Sequence, residues 1–293
     1  MKKIKKIAVL GGDARQAALA AMLEETGYET ATWAVNGNIG GAVRCAKWRS
    51  ALASADAIIL PIVAEDGGGR LNVSPSFTED VPHLRDILDA SSGVVLGGKL
   101  PDSFLSYAKE QSREAIDYFL NEELQILNAL PTAEGAVAVA FENLGRTIFS
   151  SSILVVGYGR IGKALASLLW RMGARVDVAA RKDSELARIE ISGMTPRSIS
   201  ADSLSRLVAG GYDVVFNTVP CVLFDAEVFK SAREETLYVD LASSPGGFDF
   251  NYAKERGLRV LKALSLPGKY FPRSAGMIIG KIVLNYLSNL EEK

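Results

Sequence analysis

The chain has 293 residues, a formal net charge of −1 and 48% hydrophobic residues. It is long enough for two domains with cores of their own, and it has neither the charge excess of a nucleic-acid tail nor the polarity of a disordered segment. One histidine and two cysteines far apart in the sequence offer no zinc-ligand set and no Cys/His nucleophilic pair.

Ile4 to Leu10 reads as a first strand, and Gly11, Gly12 and Asp13 then open a helix from Ala14 to Thr26. The opening lysines (Lys2, Lys3, Lys5, Lys6) precede an apolar run too short for a signal peptide. No run approaches the roughly 20 apolar residues of a membrane span, so the expected location is the cytoplasm. Further strands are expected at Tyr28 to Val35, Asp56 to Val63, Gly93 to Leu96 and Ala115 to Tyr118, separated by helical segments. Such alternation implies a parallel α/β sheet, so residues 1–125 read as a Rossmann-like or flavodoxin-like domain. Two glycine-rich loops, residues 36–41 (NGNIGG) and 65–75 (EDGGGRLNVSP), fall where such sheets bind ligands, or are plain connections. His83, in the polar helix-like stretch Thr78 to Ala90, reads as a surface or hinge residue. Cys45 and Cys221 read as reduced core residues.

Asn121 to Ala129 is helical, and Pro131 is expected to begin a second helix through Asn143, with Glu134 in its first turn. These helices lead into a second domain, 126–293, where Ser151 to Lys163 reads SSILVVGYGRIGK. Ile153 to Val156 suit a strand buried on both faces, and Gly157, Gly159 and Gly162 follow at G-x-G-x-x-G spacing ahead of a helix. Gly157 serves a tight turn, Gly159 the approach of a pyrophosphate, and Gly162 close packing of helix on strand. The next strand, Arg175 to Ala180, ends without the acidic residue that binds the ribose of NAD. Asp177 lies too early in it, and Arg181 and Lys182 follow instead, two cations that suit a 2′-phosphate. NADP(H) is therefore expected over NAD(H).

Beyond the fingerprint a helix (Asp202 to Ala209) and strands (Asp213 to Asn217, Leu237 to Asp240, Leu258 to Leu261) continue the pattern, and Pro272 to Leu290 closes the chain as a helix that can pack back on the first domain. The fold class is α/β: two Rossmann-like domains with parallel sheets flanking a cleft, the second a dinucleotide-binding fold. Asn217, Thr218, Val219 and Pro220 leave one strand, and Ala242 and Ser243 follow another; small and hydroxylic residues there let a nicotinamide lie against backbone. Lys269 and Arg273, placed in a loop before the closing helix, together with Arg15, make a dicarboxylate substrate plausible.

The segments GGDARQ (11–16), PTAEGA (131–136), GYGRIGKALA (157–166), VAAR (178–181), FNTVP (216–220), DLASSPGGFDF (240–250) and LPGKYFPRSAG (266–276) resemble the dipicolinate synthase A subunit family over nearly the whole chain. The glycine fingerprint is generic; its combination with the first and last two segments is specific. The resemblance implies an enzyme of the mother-cell cytoplasm in spore-forming bacteria, oxidising a dihydrodipicolinate-level product of the lysine pathway to dipicolinate. It also implies a partner, a smaller flavoprotein-like B subunit, with self-association open. Within these segments the expected substrate contacts are Arg15, Gln16, Thr132, Lys269, Arg273 and Ser274. The expected cofactor contacts are Gly157, Tyr158, Gly159, Arg160, Ile161, Gly162, Arg181, Lys182, Asn217, Thr218, Val219, Pro220, Ala242 and Ser243. No metal is expected, and the general base is left between Glu134, Asp13 and a water. Two rivals remain: another NADP-dependent dehydrogenase of a small carboxylate or imine, and a non-catalytic NADP-binding subunit.

Overall fold

The computed structural model describes residues 3–77 and 80–292. The chain divides into two compact units: one runs from the N-terminus to Asn128 and takes back Tyr270 onward, and the other is Ala129–Lys269.

In the first unit the strands are Lys6–Leu10 (β1), Glu29–Trp33 (β2), Val43–Arg44 (β3), Ala57–Ile62 (β4), Val94–Gly98 (β5) and Ala115–Asp117 (β6), all parallel in the order β3-β2-β1-β4-β5-β6. Their helices are Ala14–Glu25 (α1), Trp48–Ala51 (α2), Leu84–Asp89 (α3) and Asp102–Glu110 (α4), and Glu122–Leu144 (α5) begins in this unit and continues into the second at Ala129. β1 and β4 are apolar at nearly every position because they lie mid-sheet with both faces covered. Ala8, Leu10, Ile58 and Leu60 feed one core layer, and Ile7, Val9, Ala57 and Ile59 the other. The helical stretch expected from Thr78 starts at Leu84, with His83 as the residue before its first turn; Thr78 and Glu79 lie outside the described residues.

The second unit holds Ser152–Val156 (β7), Arg160–Arg171 (α6), Arg175–Ala180 (β8), Asp183–Ile191 (α7), Thr195–Ser198 (β9), Ala201–Ala209 (α8), Val214–Asn217 (β10), Ala226–Lys230 (α9), Leu237–Asp240 (β11), Phe250–Glu255 (α10), Arg259–Lys262 (β12) and Leu266–Tyr270 (α11). Its parallel sheet runs β12-β11-β10-β7-β8-β9. Both sheets therefore share one order, and in both the direction of winding reverses between the first and fourth strands, the crevice where such sheets place ligands. Phe224, Phe229, Tyr238 and Phe248 fill the layer beneath α8, α9 and α10, with Phe248 edge-on to Phe224 and Phe229 at 4.9 and 5.5 Å between ring centres.

Several expectations are corrected. α5 is continuous, with Pro131 inside it. Pro131 has no N–H for the carbonyl of Leu127, but burial of Leu124, Ala129, Ala133, Ala136, Val137 and Ala140 holds the helix through that point. Glu134 thus stands in the body of a helix rather than its first turn. Among the described residues α5 is also the one helix long and apolar enough to cross a membrane, and 56% of that stretch is buried inside the fold. The segment expected as a loop around Lys269 and Arg273 is helical: Lys269 belongs to α11, and Arg273 to the first turn of Pro272–Glu292 (α12).

α12 belongs to the first unit, on which the closing helix was expected to be able to pack back, and the second unit ends at Lys269. Gly276 and Gly280 let it approach α1 closely: a Cβ on Gly276 would lie 2.7 Å from that of Ala18, and one on Gly280 would strike the sulfur of Met22. Leu19 and Leu23 meet Ile279, Ile282, Val283 and Leu287 in the core beneath. Cys221 is exposed in the loop after β10 rather than in the core, and Cys45 is half-buried.

Candidate functional site

Each unit presents a turn after its first strand at the crevice, and the two turns are built differently. In the second unit Gly157 takes φ +100°, a left-handed conformation, and a side chain there would collide with the Thr218 hydroxyl and lie 2.8 Å from Val219. A side chain on Gly162 would run into the carbonyl of Gly157. The Thr218 hydroxyl donates to the carbonyl of Val156 at 3.0 Å, so turn, helix and β10 interlock. Gly159 is different: it is exposed, its φ is −76°, and a Cβ built on it meets nothing within 4 Å. It is the N-cap of α6 and no side chain caps it. The positive end of the helix at Gly159 therefore has open space beside it, a seat for a phosphate.

The other expected cofactor residues divide by burial. Tyr158 is nearly buried, with the Lys163 ammonium 5.4 Å from its ring centre, Ile161 is half-buried and Arg160 is exposed. Arg181 and Lys182 are exposed at the end of β8, and neither enters an ion pair among the described residues. Asp177 cannot replace a terminal acid, because its Oδ2 accepts from Arg197 Nε and from the Tyr212 hydroxyl, each at 2.7 Å. Burial first, and then that bond to Asp177, push the Tyr212 hydroxyl up from its ordinary range.

The Asn217 side chain is fully buried and serves the fold. Its Nδ2 donates to Asp240 Oδ1 at 2.8 Å and to the Val219 carbonyl at 3.0 Å, and its Oδ1 accepts from the Val219 amide at 3.2 Å. Asp240, absent from the expected set, is equally buried and accepts the amides of Ala242 at 3.2 Å and Gly247 at 2.8 Å. The pair ties the ends of β10 and β11 and folds the following loop inward; an Asp at a strand end ahead of Pro-Gly-Gly is the signal that identifies it. Thr218 and Val219 are half-buried at the crevice, Ala242 is buried, and Pro220 and Ser243 are exposed.

In the first unit the helix end is already filled. Asp13 is the N-cap of α1, its Oδ1 accepting the Arg15 amide at 3.0 Å. The Arg15 guanidinium grips the same carboxylate from Nε at 2.9 Å and Nη2 at 2.8 Å, and Nη2 also donates to the Ile62 carbonyl at 2.9 Å. A Cβ on Gly12 would meet Gln16 and lie 2.7 Å from Pro61. The loop at 65–75 closes over this turn, with the Gly12 amide donating to the Asn72 carbonyl at 2.9 Å; the loop at 36–41 folds onto α1, where Gly41 donates to Glu24 at 3.3 Å. No polyphosphate seat remains. Gln16 is buried beside Gly12, and both atoms of its amide lack a protein partner.

Burial alone would raise the Asp13 carboxyl, but the hydrogen bonds and charge of Arg15 outweigh it and hold that carboxyl below the usual carboxylate range. A depressed value stabilises the fold above the unfolded value of about 3.9 and loses that share as pH falls through the folded one. Denaturant unfolding of wild type and Asp13→Asn is expected to differ by about 1 kcal/mol at neutral pH, a figure reduced for solvent screening of the half-exposed carboxylate, and to converge in strong acid. Of the remaining expected residues, Arg273 and Ser274 are exposed in the first turn of α12, Thr132 is buried and Glu134 exposed in α5, and Lys269 is exposed in α11.

The family profile for the N-terminal domain of the dipicolinate synthase A subunit matches residues 6–119, and that of the saccharopine dehydrogenase NADP binding domain matches residues 153–264. The dipicolinate synthase A subunit of Bacillus subtilis (strain 168) is 34% identical over 293 residues, 98% of this chain and 97% of that one. The crystal structure of the dipicolinate synthase A chain from Bacillus subtilis aligns with a TM-score of 0.85 at 32% identity, covering 100% of this chain and 98% of that one. That of the dipicolinate synthase A subunit from Bacillus halodurans aligns with a TM-score of 0.85 at 28% identity, covering 98% and 99%. The second unit is thus a nicotinamide-dinucleotide-binding domain of the kind found in oxidoreductases.

Proposed function

The chain belongs to the dipicolinate synthase A subunit family, and from that premise we propose that it oxidises dihydrodipicolinate to dipicolinate with NADP⁺ as acceptor. The observation that carries this reading is the uncapped, unobstructed end of α6 at Gly159, which suits a pyrophosphate. Arg181 and Lys182 stand where the 2′-phosphate of NADP would lie, and they carry the preference over NAD. When bound, the nicotinamide supplies the hydride acceptor.

The substrate loses a hydride and a proton, and its ring becomes aromatic, so much of the driving force lies in the substrate and the chain's task is positioning. Arg15 suits one carboxylate: Asp13 and Ile62 fix its Nε and Nη2, while its Nη1 donors find no acceptor among the described residues. The unpaired amide of Gln16 offers a donor and an acceptor beside it. Lys269, Arg273, Ser274 and Thr132 are assigned to the second carboxylate and the ring. Asp13, held low by Arg15, is a weak base and serves as a brace; the proton goes to Glu134 or to water. The family resemblance adds a partner, a flavoprotein-like B subunit, and a setting in the sporulating mother cell.

The test mixes purified chain with dihydrodipicolinate and NADP⁺ or NAD⁺, with and without the B subunit, and measures reduced nicotinamide and dipicolinate together. Equal yields of the two, faster with NADP⁺, are expected. Turnover confined to a hydroxy acid would replace this reading with another dehydrogenase, and nucleotide binding without turnover in either setting would make the chain a non-catalytic subunit.

A further inference from the structure

The second unit has another concave surface, an open cavity of about 820 Å³ between the start of β7 and β8, the edge strand β9 and α8. Its wall carries three guanidinium groups, Arg175, Arg197 and Arg206, against one carboxylate, Asp177. That carboxylate is taken: the Arg197 Nε and the Tyr212 hydroxyl both donate to it at 2.7 Å, giving the cavity a fixed floor. Arg175 and Arg206 stand exposed and without an ion-pair partner among the described residues. Trp170 adds an indole wall that is 45% exposed and is propped by Gly193, where a Cβ would lie 3.0 Å from the ring.

A wall with two guanidiniums that have no ion-pair partner among the described residues, and a third neutralised in place, is complementary to an anion with more than one charged group. The volume lies within the range of small-molecule sites. The cavity is separate from the glycine turn: Ser152 lines it, Gly157 follows the other end of β7, and the strand between spans about 13 Å. We propose that this cavity is a second anion site, taking a small molecule with at least two oxyanion groups, carboxylate or phosphate, held by Arg175 and Arg206 against the wall of Trp170.

Calorimetric titration of the full chain with pyrophosphate and, separately, with citrate at low ionic strength tests this. The titrations run on wild type, on Arg175→Ala/Arg206→Ala and on Gly159→Val, which alters the glycine turn alone. Saturable binding of at least one probe is expected to persist in Gly159→Val, which removes only what the α6 seat holds, and that persisting component depends on the arginines, whose replacement weakens it at least tenfold. Since both arginines are exposed, the pair should melt with wild type; if it does not, Arg206→Glu alone carries the same expectation. Absence of saturable binding by both probes, affinity indifferent to the arginines, or loss of all binding in Gly159→Val would overturn the proposal. The last outcome would put the anion at α6 and leave the cofactor reading intact.

Discussion

Gly159→Val is expected to fold like wild type and to bind NADP⁺ about 100-fold more weakly, which is about 2.7 kcal/mol. Its φ of −76° is open to any residue and its Cβ meets nothing within 4 Å, so the protein loses no more than about 1 kcal/mol at this N-cap. The side chain then occupies the space that a pyrophosphate needs. Gly162→Ala has the opposite profile: its methyl group meets the Gly157 carbonyl, backbone that cannot step aside, and the fold loses about 3 kcal/mol. Gly157→Ala combines a collision with Thr218 and a left-handed backbone, with a similar cost. Thermal melts beside fluorescence titration with NADP⁺ separate the two kinds of glycine. Equal losses of melting temperature in all three variants would show that Gly159 is structural and that the seat is misplaced.

Arg181→Asp combined with Lys182→Ala is expected to reverse the cofactor preference. Each cation facing a 2′-phosphate contributes a charge-assisted hydrogen bond worth about 1.5–3 kcal/mol when shielded, and less at an exposed strand end. Removing both should weaken NADP⁺ about 100-fold while NAD⁺ changes by no more than about threefold, since a carboxylate at this position can meet a ribose hydroxyl. The native Asp177 does not supply that contact because Arg197 and Tyr212 hold it. Dissociation constants for both nucleotides on both proteins decide the matter, and parallel losses would remove the two cations from the phosphate site.

The central strands and the glycine turn were legible because burial on both faces leaves a continuous apolar signature, as in Ile153 to Val156, and because the turn needs glycine at fixed offsets. The edge strands β3 and β9 left no such trace: Val43 and Arg44 are exposed, and β9 contains Pro196 with one residue turned partly inward. Pro131 carried a helix-start signal that the buried neighbours along α5 overrode. Asn217 sits at a strand end where a side chain turned to the crevice and one turned into the fold read alike in sequence. Its partner Asp240 lies 23 residues away. Arg15 was legible as a cation in the first turn of α1, but its bidentate grip on Asp13 depends on the rotamer that the Ile62 carbonyl favours.

The return of α12 to the first unit also bears on the order in which the protein is made. Leu19 and Leu23 pack against Ile279, Ile282, Val283 and Leu287, so the unit that leaves the ribosome first cannot complete its core until α12 has been synthesised. At roughly 5–20 residues per second that interval is about 10–30 s. The second unit, Ala129–Lys269, is finished within it. The nucleotide-binding half therefore has its full complement of strands while the α1 face of the other half is still waiting for its cover, and chaperone contact during translation would be concentrated on that face.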